Sequence, residues 1–135
     1  MAFQANPELV NQAVQALAGS APVHWRKLIF YFEFLEDEEI GLRNSFTGRA
    51  FGGENFENRL DDYELGGSMA MFDSIEALYQ QAVKSGDRWA GILLTVFWDG
   101  QFKCRFNYGA NPLLLDDRAG VERILAQGMN DRPRA

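Results

Sequence analysis

The stretch RWAGILLTVFWDGQFKCRFNYG, residues 88–109, decides the architecture. Trp89 to Trp98 is dense in aliphatic and aromatic residues, Asp99-Gly100 is a turn signal, and Gln101 to Tyr108 alternates. Phe102, Cys104, Phe106 and Tyr108 fall on one side of the return strand; Gln101, Lys103, Arg105 and Asn107 fall on the other. Two strands joined by so short a turn form an antiparallel hairpin. Asp-Gly suits a type I′ turn, whose two central residues need positive φ. One apolar and one polar face is the pattern of an edge strand or a solvent-facing sheet.

Working outward, residues 25–35, WRKLIFYFEFL, read as a second strand region. Leu28, Phe30, Phe32 and Phe34 share one face, while Ile29, Tyr31, Glu33 and Leu35 share the other, so both faces are expected to be largely covered. Glu36 to Glu39 read as the turn, and Ile40 to Thr47 as the returning strand. Before this unit, Asn6-Pro7-Glu8 supplies a helix cap, a first-turn proline and a first-turn acid, and the helix stops at Gly19. Between the two strand pairs, Met71, Phe72, Ile75, Leu78, Tyr79, Ala82 and Val83 recur at helical spacing up to Gly86. A last helix is expected from about Asp117 to Gly128, followed by a frayed RPRA tail. The order predicts one α+β domain over residues 1–135, with an antiparallel sheet of about four to five strands and N-terminal, central and C-terminal helices packed against it.

The chain is long enough to bury a core without staples. Cys104 is its only cysteine, which excludes an intrachain disulfide and makes a reducing compartment the default. The first residues, MAFQANPELV, do not read as a signal peptide. The longest apolar run, Ile92 to Trp98 broken by Thr95, is far short of the ~20 residues a membrane helix needs. A cytoplasmic location is expected, with no membrane partner.

Charge is segregated along the chain. Residues 36–66 hold nine acids and three arginines, which accounts for the whole net charge of −6, while the rest holds ten acids and ten bases. Nucleic-acid recognition needs the opposite sign, so no nucleic-acid partner is expected. Candidates for catalysis are thin. His24 is a lone histidine, Cys104 sits on an apolar strand face, and no serine lies in a G-x-S-x-G elbow. GGENFEN lacks the Gly-Lys-Ser/Thr of a phosphate loop. Glu54, Asn55, Glu57, Asn58, Asp61 and Asp62 offer oxygen donors, but the spacing of a calcium loop is absent. No catalytic residue, metal or cofactor is assigned.

RAFGGENFENRLDDYELGGS, residues 49–68, interleaves Phe51, Phe56 and Tyr63 with carboxylates and with Arg49 and Arg59, and a short third strand could lie inside it. Aromatics with arginine are the usual hot-spot types of protein interfaces, and surrounding charges govern encounter. The competing reading is that these aromatics anchor a long loop onto the sheet.

APVHWRKLIFYFEFLEDEE after a short helix, RWAGILLTVFWDGQFKCRFNYG, and Asp116-Asp117-Arg118 before the terminal helix together resemble the YezG-like antitoxin or immunity family over about half the chain. The Gly- and acid-rich middle segment has no counterpart in that pattern. The resemblance implies a small, non-enzymatic bacterial protein that binds a cognate toxin domain, basic around its active site, and blocks it. Such a toxin would act on nucleic acids or nucleotides. The toxin-binding residues expected on this reading are Glu54, Phe56, Glu57, Asp61, Asp62, Tyr63, Glu64 and Arg49. The alternatives are a small calcium- or nucleotide-binding enzyme and a secretion adaptor or chaperone.

Overall fold

The computed structural model describes residues 5–60 and 68–134. Three helices, α1 (Pro7–Gly19), α2 (Met69–Lys84) and α3 (Arg118–Asn130), accompany five strands: β1 (Lys27–Asp37), β2 (Gly41–Gly52), β3 (Asn58–Arg59), β4 (Gly91–Phe97) and β5 (Phe102–Asn107). The strands form one antiparallel sheet in the order β3-β2-β1-β4-β5, so the fold is α+β as the sequence order implies.

Both faces of β1 are covered, each by a different layer. Leu28, Phe30, Phe32 and Phe34 meet Val10, Ala13, Val14 and Leu17 of α1 and Met71, Ile75, Leu78 and Ala82 of α2. Ile29 and Tyr31 turn the other way and pack with Leu93 and Leu125 of α3. Burying a large apolar side chain contributes roughly 1.5–3 kcal/mol, so the α1/α2 side holds most of the stability and α3 rests on the smaller cluster. Asn6 caps α1 by accepting from the backbone N–H groups of Glu8 and Leu9, and Ser68 and Asp117 cap α2 and α3.

α3 approaches the sheet closely at Gly128. A Cβ there would lie 2.9 Å from Ile29 Cγ2 and 3.1 Å from Thr95 Oγ1. Gly128→Leu is therefore expected to lift the end of α3 off β1 and β4 and cost about 2–3 kcal/mol, read as a lower urea midpoint; a loss below ~0.5 kcal/mol would contradict this packing.

The structure corrects four sequence-based expectations. β1 runs on to Asp37, and the turn is shifted to residues 38–40 because Asp37 Oδ1 accepts from Glu39 and Ile40 N–H, after which Gly41 takes φ +96. β2 starts at Gly41 and extends past Thr47 to Gly52, since β1 offers it a partner as far as Lys27↔Phe51. The Asp99-Gly100 turn is not type I′: Gly100 has φ +92 but Asp99 is not positive. Gly100 N–H bonds Phe97 O, and Phe97 N–H bonds Gln101 O, which makes a three-residue loop with a glycine bulge. Finally, the RPRA tail is not frayed over its described part, because Arg134 N–H donates to Gln101 Oε1 and Gln101 Nε2 donates to Arg134 O.

The polar face of β5, an edge strand, stays partly open, and two of its cations are drawn to one side. Arg105 and Lys103 point to α3's side, where Asp131 receives them. The 108–117 connection is pinned over the sheet by buried groups. Asn111 Nδ2 donates to Phe34 O at 2.8 Å, and Leu114 N–H donates to the fully buried Glu33 at 2.6 Å.

Candidate protein-interaction surface

The segment after β2 closes on itself and then onto the sheet. Gly53 has φ +88, and Glu57 folds its carboxylate back over it to accept from Asn55 N–H at 2.9 Å. Phe56 N–H bonds Gly53 O, and Phe56 itself takes φ +60, a conformation that costs a bulky L-residue energy. Ring packing holds it there: Phe56 lies 5.6 Å from Phe97 and 6.3 Å from Trp98 between centroids. Asn58–Arg59 then pairs with Phe51–Gly52, and Leu60 N–H reaches Ala50 O. The result places Glu54 and Glu57 at the surface on a fixed loop.

Two further segments meet this loop. Arg26 N–H donates to Phe51 O, and Trp98 N–H donates to Arg26 O, so the entry to β1 is tied to both β2 and the hairpin tip. The Arg26 guanidinium stacks 3.8 Å over the Trp98 ring, which is 44% exposed. Beside them, Val23 is 78% exposed and His24 is exposed with φ +67. An arginine stacked on a half-exposed tryptophan next to fixed carboxylates is an assembly that protein interfaces use.

The same end of the sheet gathers cations. Lys27 is buried beneath Phe56 and Phe97, and its Nζ donates to Met129 O and Asp131 O at the C-terminus of α3. Burial, then the neighbouring charges of Arg132 and Lys103, lower its pKa to about 8 against the opposing pull of Asp131. Asp131 accepts both arms of the Arg105 fork at 2.6 and 2.5 Å. Burial opposes its ionisation, yet the donors of Arg105 and the charges of Arg105 and Lys103 hold its carboxyl below the usual range. Thr95 nearby adds to this, although its hydroxyl makes no hydrogen bond of good geometry.

The residues expected from the sequence to face a toxin divide into three groups. Glu54 and Glu57 are exposed on the closed loop. Arg49 and Phe56 are engaged in the fold: Arg49 pairs with Glu122 of α3 at 2.6 Å, and Phe56 anchors the loop through Phe97 and Trp98. Asp61, Asp62, Tyr63 and Glu64 lie outside the described residues. Arg26 and Trp98 were not singled out by sequence. The signal available was an aromatic at a hairpin tip, where a side chain cannot be covered by both strands.

Cys104 packs partly buried against the larger core, and burial pushes its thiol up to about 12. Among the described residues no three His, Cys, Asp or Glu side chains gather in a way that could hold a metal ion. No helix among them is long and apolar enough to cross a membrane. No protein-family model matches the chain, and no curated protein is significantly similar to it.

Proposed function

We propose that this chain is an immunity protein that binds a cognate toxin domain stoichiometrically in the cytoplasm and blocks its active site. The observation that carries the reading is the 53–57 loop. Its acids stand at the surface, its strained backbone is held by Phe56, and it abuts the Arg26–Trp98 stack. Rigid presentation spares the ordering cost of binding, and exposed carboxylates speed encounter with a basic cleft. The resemblance to the YezG-like family and the segregated acidic charge of residues 36–66 support it.

The test is co-expression with a secreted toxin domain encoded beside this gene, followed by affinity measurement on the purified pair. Protection by the wild-type chain is expected. Trp98→Ala should weaken the complex about 30-fold, the cost of a central aromatic. Glu54→Lys with Glu57→Lys, and Asp61→Lys with Asp62→Lys, should slow association and flatten its salt dependence, whereas Glu76→Lys on the exposed side of α2 should leave binding unchanged. A wild-type chain that neither protects nor binds would end the reading. Equal affinity at low and moderate salt would remove its electrostatic part.

A further inference from the structure

A cavity of about 310 Å³ opens between the β5 end of the hairpin and the C-terminal tail, walled by Phe97, Phe102, Lys103, Arg132 and Arg134. Three of its lining side chains are cationic and none is acidic. The tail is fixed as one wall by the paired hydrogen bonds between Gln101 and Arg134. Arg132 is fixed too, its Nη1 donating to Met129 O and Asp131 O. The Arg134 guanidinium makes no hydrogen bond or ion pair among the described residues. Asp99, in the same turn, is bound to Gln101 and does not line the cavity.

Cations here exceed counter-charge. Lys27, Lys103, Arg105 and Arg132 meet at Asp131, whose two carboxylate oxygens are already taken by the Arg105 fork, and Arg134 joins Lys103 and Arg132 around the cavity. Lys103 remains 3.5 Å from one of those oxygens, a partnership it shares rather than owns. Burial is the main reason that the pKa of Lys27 is lowered, and Arg132 and Lys103 add to it against the pull of Asp131. In a chain of net charge −6, such a concentration stands against the overall field.

We propose that this cavity binds the phosphate group of a small phosphorylated ligand, with Lys103 and Arg134 as mobile donors and Arg132 as the fixed one. The donors come from two walls, the hairpin and the tail. A tetrahedral oxyanion, with charge spread over several oxygens, accepts from both at once, whereas a planar carboxylate is satisfied by one guanidinium fork. Phe102, half exposed at the rim, offers an apolar face to the ligand's organic part. The site does not depend on the immunity reading, since it uses none of the acidic-loop residues.

The test is titration calorimetry and amide-shift mapping of the whole chain with pyrophosphate, ATP and a single-stranded oligonucleotide, at about physiological salt. Saturable binding of pyrophosphate and ATP is expected, with the largest shifts at residues 100–103 and 132–134. Lys103→Glu with Arg134→Glu should weaken it at least tenfold. The milder Lys103→Gln with Arg134→Gln should weaken it severalfold, which covers the case where reversal impairs folding. Arg123→Glu, on the exposed side of α3, should leave it unchanged. Absence of saturable binding, or equal binding by all variants, would overturn the proposal. Oligonucleotide binding with pyrophosphate and ATP inert would overturn its small-ligand form.

Discussion

Asp131→Ala is expected to lower the unfolding free energy by about 3 kcal/mol, the low end of the range for breaking a buried ion pair, because Arg105 stays partly exposed. Asp131 is only 4% exposed and lies just past α3. Its carboxylate is the counter-ion of Arg105 and Lys103 among the described residues, and its backbone carbonyl accepts from Lys27 and Arg132. Truncation leaves Arg105 and Lys103 facing Lys27 with nothing to offset them. The change should appear in urea melts as a lower midpoint with an unchanged slope. A double-mutant cycle with Arg105→Ala should return a coupling above ~1 kcal/mol, and additive losses would refute the pairing. The pH dependence has a definite sign. The carboxyl is held low in the folded chain, so its contribution is complete above the ordinary carboxylate value of 3.8 and is lost as pH falls below it. The part of the gap between wild type and Asp131→Ala that comes from the carboxyl's own ionisation should therefore close only in acid.

Stability should rise with alkaline pH at Lys27, opposite to a lysine that gains a partner on folding. Its pKa falls from 10.5 in the open chain to about 8 in the fold, chiefly through burial and then through Arg132. Between those values the unfolded chain binds the extra proton, so raising the pH favours the native state. The full difference corresponds to at most ~3 kcal/mol. The head group lies close to the exposed Arg132, and solvent screening there reduces the expected gain to ~2 kcal/mol between about pH 8 and 10.5. The neutral amine still has two N–H groups for Met129 O and Asp131 O, so the anchoring of α3 survives deprotonation. The proper reference is Lys27→Met, measured over the same range. Tyr31 and Cys104, both pushed up by burial, lose stability with rising pH in either protein and cancel in the difference. A flat or falling difference would show that Lys27 is not desolvated in solution.

Much of the fold was legible because local patterns and tertiary packing agree. The alternation in β1 divides Leu28, Phe30, Phe32 and Phe34 from Ile29 and Tyr31, and those two sets face the two helical layers. Asn6-Pro7 starts α1 by capping chemistry that needs only neighbouring residues. Turn geometry was harder to read. Asp99-Gly100 fits more than one hairpin loop, and the Phe97↔Gln101 pairing selected the bulged one. The end of β2 was hidden by composition, since glycines and acids near residue 52 mask a segment whose strand character depends on β1 beside it.

The site shows the same boundary more sharply. Sequence alone located the excess negative charge in residues 36–66, because that charge is contiguous in the chain. It counted the bases outside that segment as cancelled by ten acids, and by number they are. Only the tertiary structure brought Lys27, Lys103, Arg105 and Arg132 to Asp131, put Arg134 beside Lys103 and Arg132, and set Lys27 and Arg132 against Phe56 of the acidic loop. Composition and periodicity fix which faces are buried, since burial follows side-chain chemistry residue by residue. Electrostatic sites arise from residues far apart in sequence, and Coulomb interactions depend on distances that exist only once the sheet, α3 and the tail have met.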